Sequence, residues 1–81
     1  MIAGVTGSRY PRPDRSALRL RALLLEWGVT ELHHGDCTGW DEQAFEVALD
    51  LGLKTVAHPP TSDSFRAFTA SDVILPTAPY L

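Results

Sequence analysis

One cysteine, Cys37, is all the sequence offers, so no disulfide framework can form within the chain and a small fold must rely on its core or on a partner. Long apolar runs are missing as well. Nothing approaches the roughly 20 consecutive residues that a bilayer-crossing helix needs. The opening stretch MIAGVTGSR is too short and too rich in glycine for a signal peptide, and together these absences predict a cytoplasmic protein without a membrane partner. No internal repeat and no low-complexity linker divides the 81 residues, so a single domain over 1–81 is expected, near the size at which one core becomes marginal. A basic excess is also lacking. Net charge is −3, and of the 7 Lys and Arg residues, Arg9, Arg12, Arg15, Arg19 and Arg21 fall in one early stretch. That distribution suits a local anion site better than a duplex-binding surface, so nucleic acid finds no support as a partner. With 44% hydrophobic and 21% charged residues, the composition is that of an ordinary globular domain.

What is present is alternation of strand and helix patterns. Ile2-Ala3-Gly4-Val5 runs into the turn Thr6-Gly7-Ser8-Arg9 and reads as a buried strand. Pro11 and Pro13 keep the next segment irregular until Asp14 or Ser16 caps a helix. Its apolar stripe is Leu20, Leu23, Leu24 and Trp27, with Trp27 assigned to the core and Gly28 as the stop. Residues 30–34 read as a second strand and 41–51 as a second helix with Ala44, Phe45, Ala48 and Leu49 on one face, closed by Gly52. Residues 54–58 form a third strand, ended by Pro59-Pro60. From 61 to 81 the pattern weakens, and Phe65, Phe68, Val73, Ile74, Leu75, Tyr80 and Leu81 read as an irregular segment that packs somewhere.

The expectation is an α/β fold, a Rossmann-like βαβαβ unit with a parallel sheet of about three strands in the order 3-2-1. Right-handed crossovers then place both helices on one side and leave strand 1 as an edge. The other face must be covered by residues 61–81 or by a second copy, and the unprotected edge predicts a homo-oligomer.

Chemistry concentrates at the carboxyl ends of strands 1 and 2, where open α/β sheets bind ligands. In the first loop, Gly7 permits close backbone approach, Thr6 and Ser8 supply hydroxyls, and Arg9 can contact phosphate through two nitrogens. A glycine turn with an exposed arginine would explain the same residues. The second loop, HHGDCTGWDEQA, opens a helix whose unpaired amides favour an anion. It contributes Gly35, Asp36, Thr38, Gly39, Trp40 and Asp41 as candidate ligand contacts, although Thr38 or Asp41 would equally serve as a helix cap and Trp40 as either a base-stacking surface or a lid on the core. No metal site is expected, since the adjacent strand residues His33 and His34 point to opposite faces and cannot share one ion. Cys37 lacks a base held by a third group, and Arg66 with Asp72 reads as a solvated pair, with closure of Arg66 over the site as the alternative.

The segments GVTGSR, ELHHGDCTGWDEQAFEVA, KTVAHPP and RAF…SD…P…PYL resemble the SLOG superfamily, which includes the DNA-processing protein DprA and the LOG phosphoribohydrolases. The resemblance covers nearly the whole chain, and HGDCTGWD is similar to the family's glycine-rich loop. It implies a modified Rossmann fold that binds a nucleotide or nucleotide-derived ligand, with Gly7, Ser8, Arg9, Gly35, Gly39 and Asp41 at matching positions. It also implies that the chain corresponds to the first half of a larger domain. The PGGxGTxxE motif of the phosphoribohydrolases is absent, so the resemblance does not extend to that activity. The leading expectation is therefore a binding or sensing module with no further cofactor. A hydrolase, with Asp36, Asp41 and Glu42 as the nearby carboxylates, and a self-associating structural fragment are the alternatives.

Overall fold

The computed structural model describes residues 1–5, 12–61 and 66–77. Thr6, Gly7, Ser8 and Arg9 of the first loop, and Phe65, Tyr80 and Leu81 of the tail, lie outside the described residues.

Six elements follow one another: β1 (Ile2–Gly4), α1 (Asp14–Glu26), β2 (Glu31–His34), α2 (Trp40–Asp50), β3 (Lys54–Ala57) and β4 (Val73–Ile74). All strand pairs are parallel and the order is β1-β2-β3-β4. The expected α/β unit is therefore present, with β1 at one edge, and one strand is added to it. The tail reading is corrected at this point, because Val73–Ile74 extends the sheet beside β3 rather than lying in an irregular segment.

Both helices end as the glycines foretold. In α1 the amide of Val29 donates to Leu24 O and that of Gly28 to Leu25 O; in α2 Leu53 donates to Ala48 O and Gly52 to Leu49 O. These paired bonds, with left-handed Gly28 and Gly52, form the Schellman arrangement that satisfies the last carbonyls of a helix. The helix starts differ from expectation. Pro13 and Gly39 occupy the N-cap positions, and neither helix has a side-chain cap.

Pleating sorts the sheet residues by face. Leu32 packs with Leu24, Val29, Ala44 and Ala48 in the core, joined by half-buried Ala3, Val5, Leu20, Val47, Leu51 and Leu53. Ala3, Leu32 and Thr55 share one rung of the ladder and His34 and Ala57 another, so this face is the one beneath the helices. The opposite face carries the rung Ile2–Glu31–Lys54 and the rung Gly4–His33–Val56–Val73. It mixes the charged and polar side chains Glu31, Lys54 and His33 with the apolar Ile2, Val56 and Val73, of which Val56 is buried.

Two residues assigned to the core stand outside it: Trp27 is 55% exposed and Leu49 61%. Helical periodicity shows which residues are apolar, but α1 packs against α2 at the margin of a narrow sheet, and its stripe is wider than the surface available to cover it. An exposed Arg21–Asp50 ion pair joins the two helices. Gln43 also bonds both backbone groups of Arg12, accepting from N at 2.6 Å and donating to O at 2.9 Å, which fixes the approach to α1 against the first turn of α2.

Candidate functional site

At the carboxyl ends of β1, β2 and β3 lies an open depression of about 360 Å³ lined by Gly4, Val5, His33, His34, Gly35 and His58. Its position follows from topology: parallel strands present their carboxyl ends together. Gly4 and Gly35 expose backbone there, and His33 and His58 supply imidazoles.

On the face opposite the helices a chain of hydrogen bonds runs into this depression. Glu31 Oε2 lies 2.6 Å from His33 Nε2, and His33 Nδ1 lies 2.7 Å from His58 Nε2. Lys54 Nζ stands 3.4 Å from the other oxygen of Glu31. The hydrogen bond from His33, reinforced by Lys54, holds the Glu31 carboxyl below its ordinary range. Glu31 and His33 meet because they are two apart on one strand and so project from the same face. His58 follows Ala57, the rung partner of His34, and its ring comes up beside His33.

On the helix side the loop after β2 is drawn inward. Asp36 is 1% exposed and adopts a left-handed φ of 54°. Its Oδ2 accepts from Arg66 Nε at 3.1 Å and Nη2 at 3.0 Å, and its Oδ1 accepts from Thr69 N at 2.9 Å and Oγ1 at 2.8 Å. Because the carboxylate can only accept, Thr69 donates to it, Ser71 Oγ donates to Thr69 Oγ1 (2.9 Å), and His34 Nε2 donates to Ser71 Oγ (2.8 Å). His34 Nδ1 in turn accepts from Asp36 N at 3.0 Å, which makes the ring neutral with its proton on Nε2. Burial pushes the His34 pKa below its usual 6.5, opposed by the charge of Asp36. This network clamps residues 66–72 onto the loop. Beyond it, Asp72 Oδ2 accepts from Thr55 N at 2.9 Å, extending the β3–β4 ladder by one side-chain bond. The reading of Arg66 and Asp72 as a solvated pair is thereby corrected: each is committed to a different partner across the fold.

Asp41 is buried at the start of α2, and its carboxylate takes hydrogen bonds from the backbone amides of Cys37 and Gly35. A Cβ on Gly35 would stand 2.7 Å from Asp41 Oδ2, so glycine is what permits this approach. The other oxygen, Oδ1, has no hydrogen-bond partner among the described residues. Burial, outweighing the two amides, raises the Asp41 pKa above its ordinary 3.8. The folded state therefore holds the proton more tightly than the unfolded chain. The associated stability is complete below about pH 3.8 and is lost as pH rises through the folded pKa. Asp41→Asn cannot ionise, so its stability relative to the parent should improve as pH rises above about 3.8 and level off once pH passes the folded pKa, read from urea melts. A difference that stays flat with pH would show that Asp41 does not titrate in this range.

Of the sequence candidates in the second loop, Gly35 borders the depression. Asp36 and Asp41 are turned into the fold as hydrogen-bond acceptors, Gly39 is buried at the helix start, and Thr38 and Trp40 are half-buried. Cys37 is buried, forming an antiparallel bridge with Arg66. His33 and His34 do face opposite sides of the sheet, as strand alternation demands. What sequence reasoning passed over is the grouping of Glu31, His33 and His58. The i, i+2 spacing on β2, with a third residue at the end of the neighbouring strand, was the signal available for it.

Among the described residues no group of three or more His, Cys, Asp or Glu side chains is placed to hold a metal ion, and no helix is long and apolar enough to cross a membrane. No protein-family model matches the chain, and neither the curated proteins nor the solved structures contain a match to it.

Proposed function

We propose that the chain binds a nucleotide or nucleotide-derived phosphorylated ligand at the carboxyl end of its sheet. The observation that carries this reading is the depression bounded by three adjacent parallel strand ends, with bare glycine backbone at Gly4 and Gly35 and imidazole nitrogens at its rim. Close approach to glycine backbone and imidazole rings at the rim suit a phosphate without a large basic surface. The SLOG resemblance of GVTGSR assigns Arg9 to the phosphate.

Thermal shift against a panel of nucleoside mono-, di- and triphosphates tests the reading, because a ligand at a hundred times its Kd stabilises a fold by about 2.7 kcal/mol. Arg9→Ala should then weaken the best ligand by at least about tenfold, the loss of one charge-assisted contact. Absence of any shift across the panel removes the reading, and undiminished affinity in the variant removes Arg9 from it.

A second copy of the chain is proposed to pair along β1. That edge strand has no ionisable side chain and leaves Ile2 largely exposed, whereas the face opposite the helices carries the charged Glu31 and Lys54 with His33 and His58. Light scattering should give twice the chain mass of 8.9 kDa. A monomer mass at micromolar concentration excludes the pairing.

A further inference from the structure

The Glu31–His33–His58 chain fixes the placement of protons by elementary rules. An ionised carboxylate only accepts, so His33 presents N–H at Nε2 to Glu31. A neutral His33 then has a bare Nδ1, which accepts the Nε2–H of His58 across 2.7 Å. A neutral His58 is left with an unprotonated Nδ1. His58 is exposed and borders the depression, so the free end of the chain is a base at the place assigned to the ligand. A carboxylate behind an imidazole holds it in one tautomer and stabilises the cation formed on proton uptake. Here a second imidazole carries that effect one ring further.

We propose that this chain makes the depression a hydrolytic site for phosphodiester bonds, with His58 as general base and Glu31 and His33 as positioning residues. The inference rests on the ligand reading above. Phosphodiester is chosen over other bonds by the lining. Hydrolysis of a glycosidic bond calls for carboxylates flanking the sugar, and none of the described residues lining the depression is acidic. Among the described residues, Lys54 on this face is engaged by Glu31 and His34 beneath the helices is committed to Ser71, so His58 is the imidazole with an open end at the depression.

In the step itself His58 Nδ1 takes a proton from water as the water oxygen bonds to phosphorus. The bond from phosphorus to the leaving oxygen breaks, that oxygen keeps the electron pair, and the His58 imidazolium returns the proton to it. Water is the only co-reactant, and nothing is oxidised or reduced.

The test measures hydrolysis of bis(p-nitrophenyl) phosphate and of a dinucleoside monophosphate by the full chain, beside calorimetry of adenosine monophosphate binding. Wild-type turnover is expected to exceed buffer, and His58→Ala to lower it at least about a hundredfold, as loss of a general base does. Glu31→Gln, checked as folded by its melting curve, is expected to lower kcat with KM unchanged and to shift the acid limb of the pH profile. Wild-type turnover at the buffer rate overturns the inference, and so does a His58→Ala enzyme that keeps its rate or a Glu31→Gln profile that does not move. Binding of the monophosphate without turnover leaves the ligand reading standing and defeats the catalytic one; absence of both defeats both.

Discussion

Asp36→Ala should cost about 3–5 kcal/mol of stability, because it removes one partner of a buried ion pair and strands the other. Asp36 Oδ2 takes two hydrogen bonds from Arg66, whose side chain is only 14% exposed, and Oδ1 takes two from Thr69. All four donors lose their acceptor at once. The alanine must also hold φ near 54°, where non-glycine residues are strained by about 1–2 kcal/mol and Asp or Asn is the better tolerated side chain. A chain of 81 residues has about 4–12 kcal/mol in all, so the variant is expected to be largely unfolded or to release residues 66–77. Hydrogen exchange separates these outcomes. Release of the segment exposes the amides of Thr55 and Leu75, which bond to Asp72 and Ala57, while the Leu53 amide inside the α2 cap stays protected. Asp36→Asn, which keeps the left-handed preference and an acceptor oxygen, should lose less. A urea midpoint for Asp36→Ala corresponding to under about 1 kcal/mol would show that the clamp is peripheral.

Gly39→Val carries the next largest effect. Gly39 has φ 88° and ψ −123° at the N-cap of α2, a combination outside the regions allowed to side-chain-bearing residues. Backbone strain of this type costs about 1–3 kcal/mol, and a β-branched residue sits at the upper end because its second branch crowds the backbone. The first turn of α2 would have to shift, drawing the Asp41 carboxylate off the amides of Gly35 and Cys37 and moving the Gly35 wall of the depression. For a domain of this size the strain corresponds to a fall in Tm of roughly 4–8 °C per kcal/mol, with ligand affinity falling in parallel. A Val variant that melts within about 2 °C of the parent would mean that the loop relaxes into an ordinary conformation at little cost.

The site was less legible than the fold. HHGDCTGWDEQA reads as a ligand loop because glycines, small hydroxyls and a carboxylate before a helix are what phosphate sites use. The same residue types build a helix start that closes on itself. Whether Asp36 faces a ligand or the interior depends on Arg66, 30 residues away, and no local pattern records that the two meet. His33 and His34 were weighed as metal ligands, a role that asks for convergence on a point. His33 instead joins Glu31 and His58 in a line of hydrogen bonds across two strands, which becomes visible only once the register of β2 against β3 is known.

Local signals in the sequence determined the elements and their order up to β3: short apolar runs, two amphipathic segments, and glycines at Gly28 and Gly52 where helices stop. They suffice because hydrophobic period and helix termination act over a few residues, and because right-handed crossovers convert that succession into one strand order. The tertiary structure alone decided the fourth strand, the exposure of Trp27 and Leu49, and the inward turn of Asp36. A two-residue strand such as Val73–Ile74 has too short a pattern to announce itself. It is held in register by Asp72 on Thr55 and by the Asp36–Arg66 clamp. Burial is likewise a property of what packs opposite a residue. Contacts between residues far apart in the chain settle both, through an ion pair and hydrogen bonds whose strength comes from their removal from water.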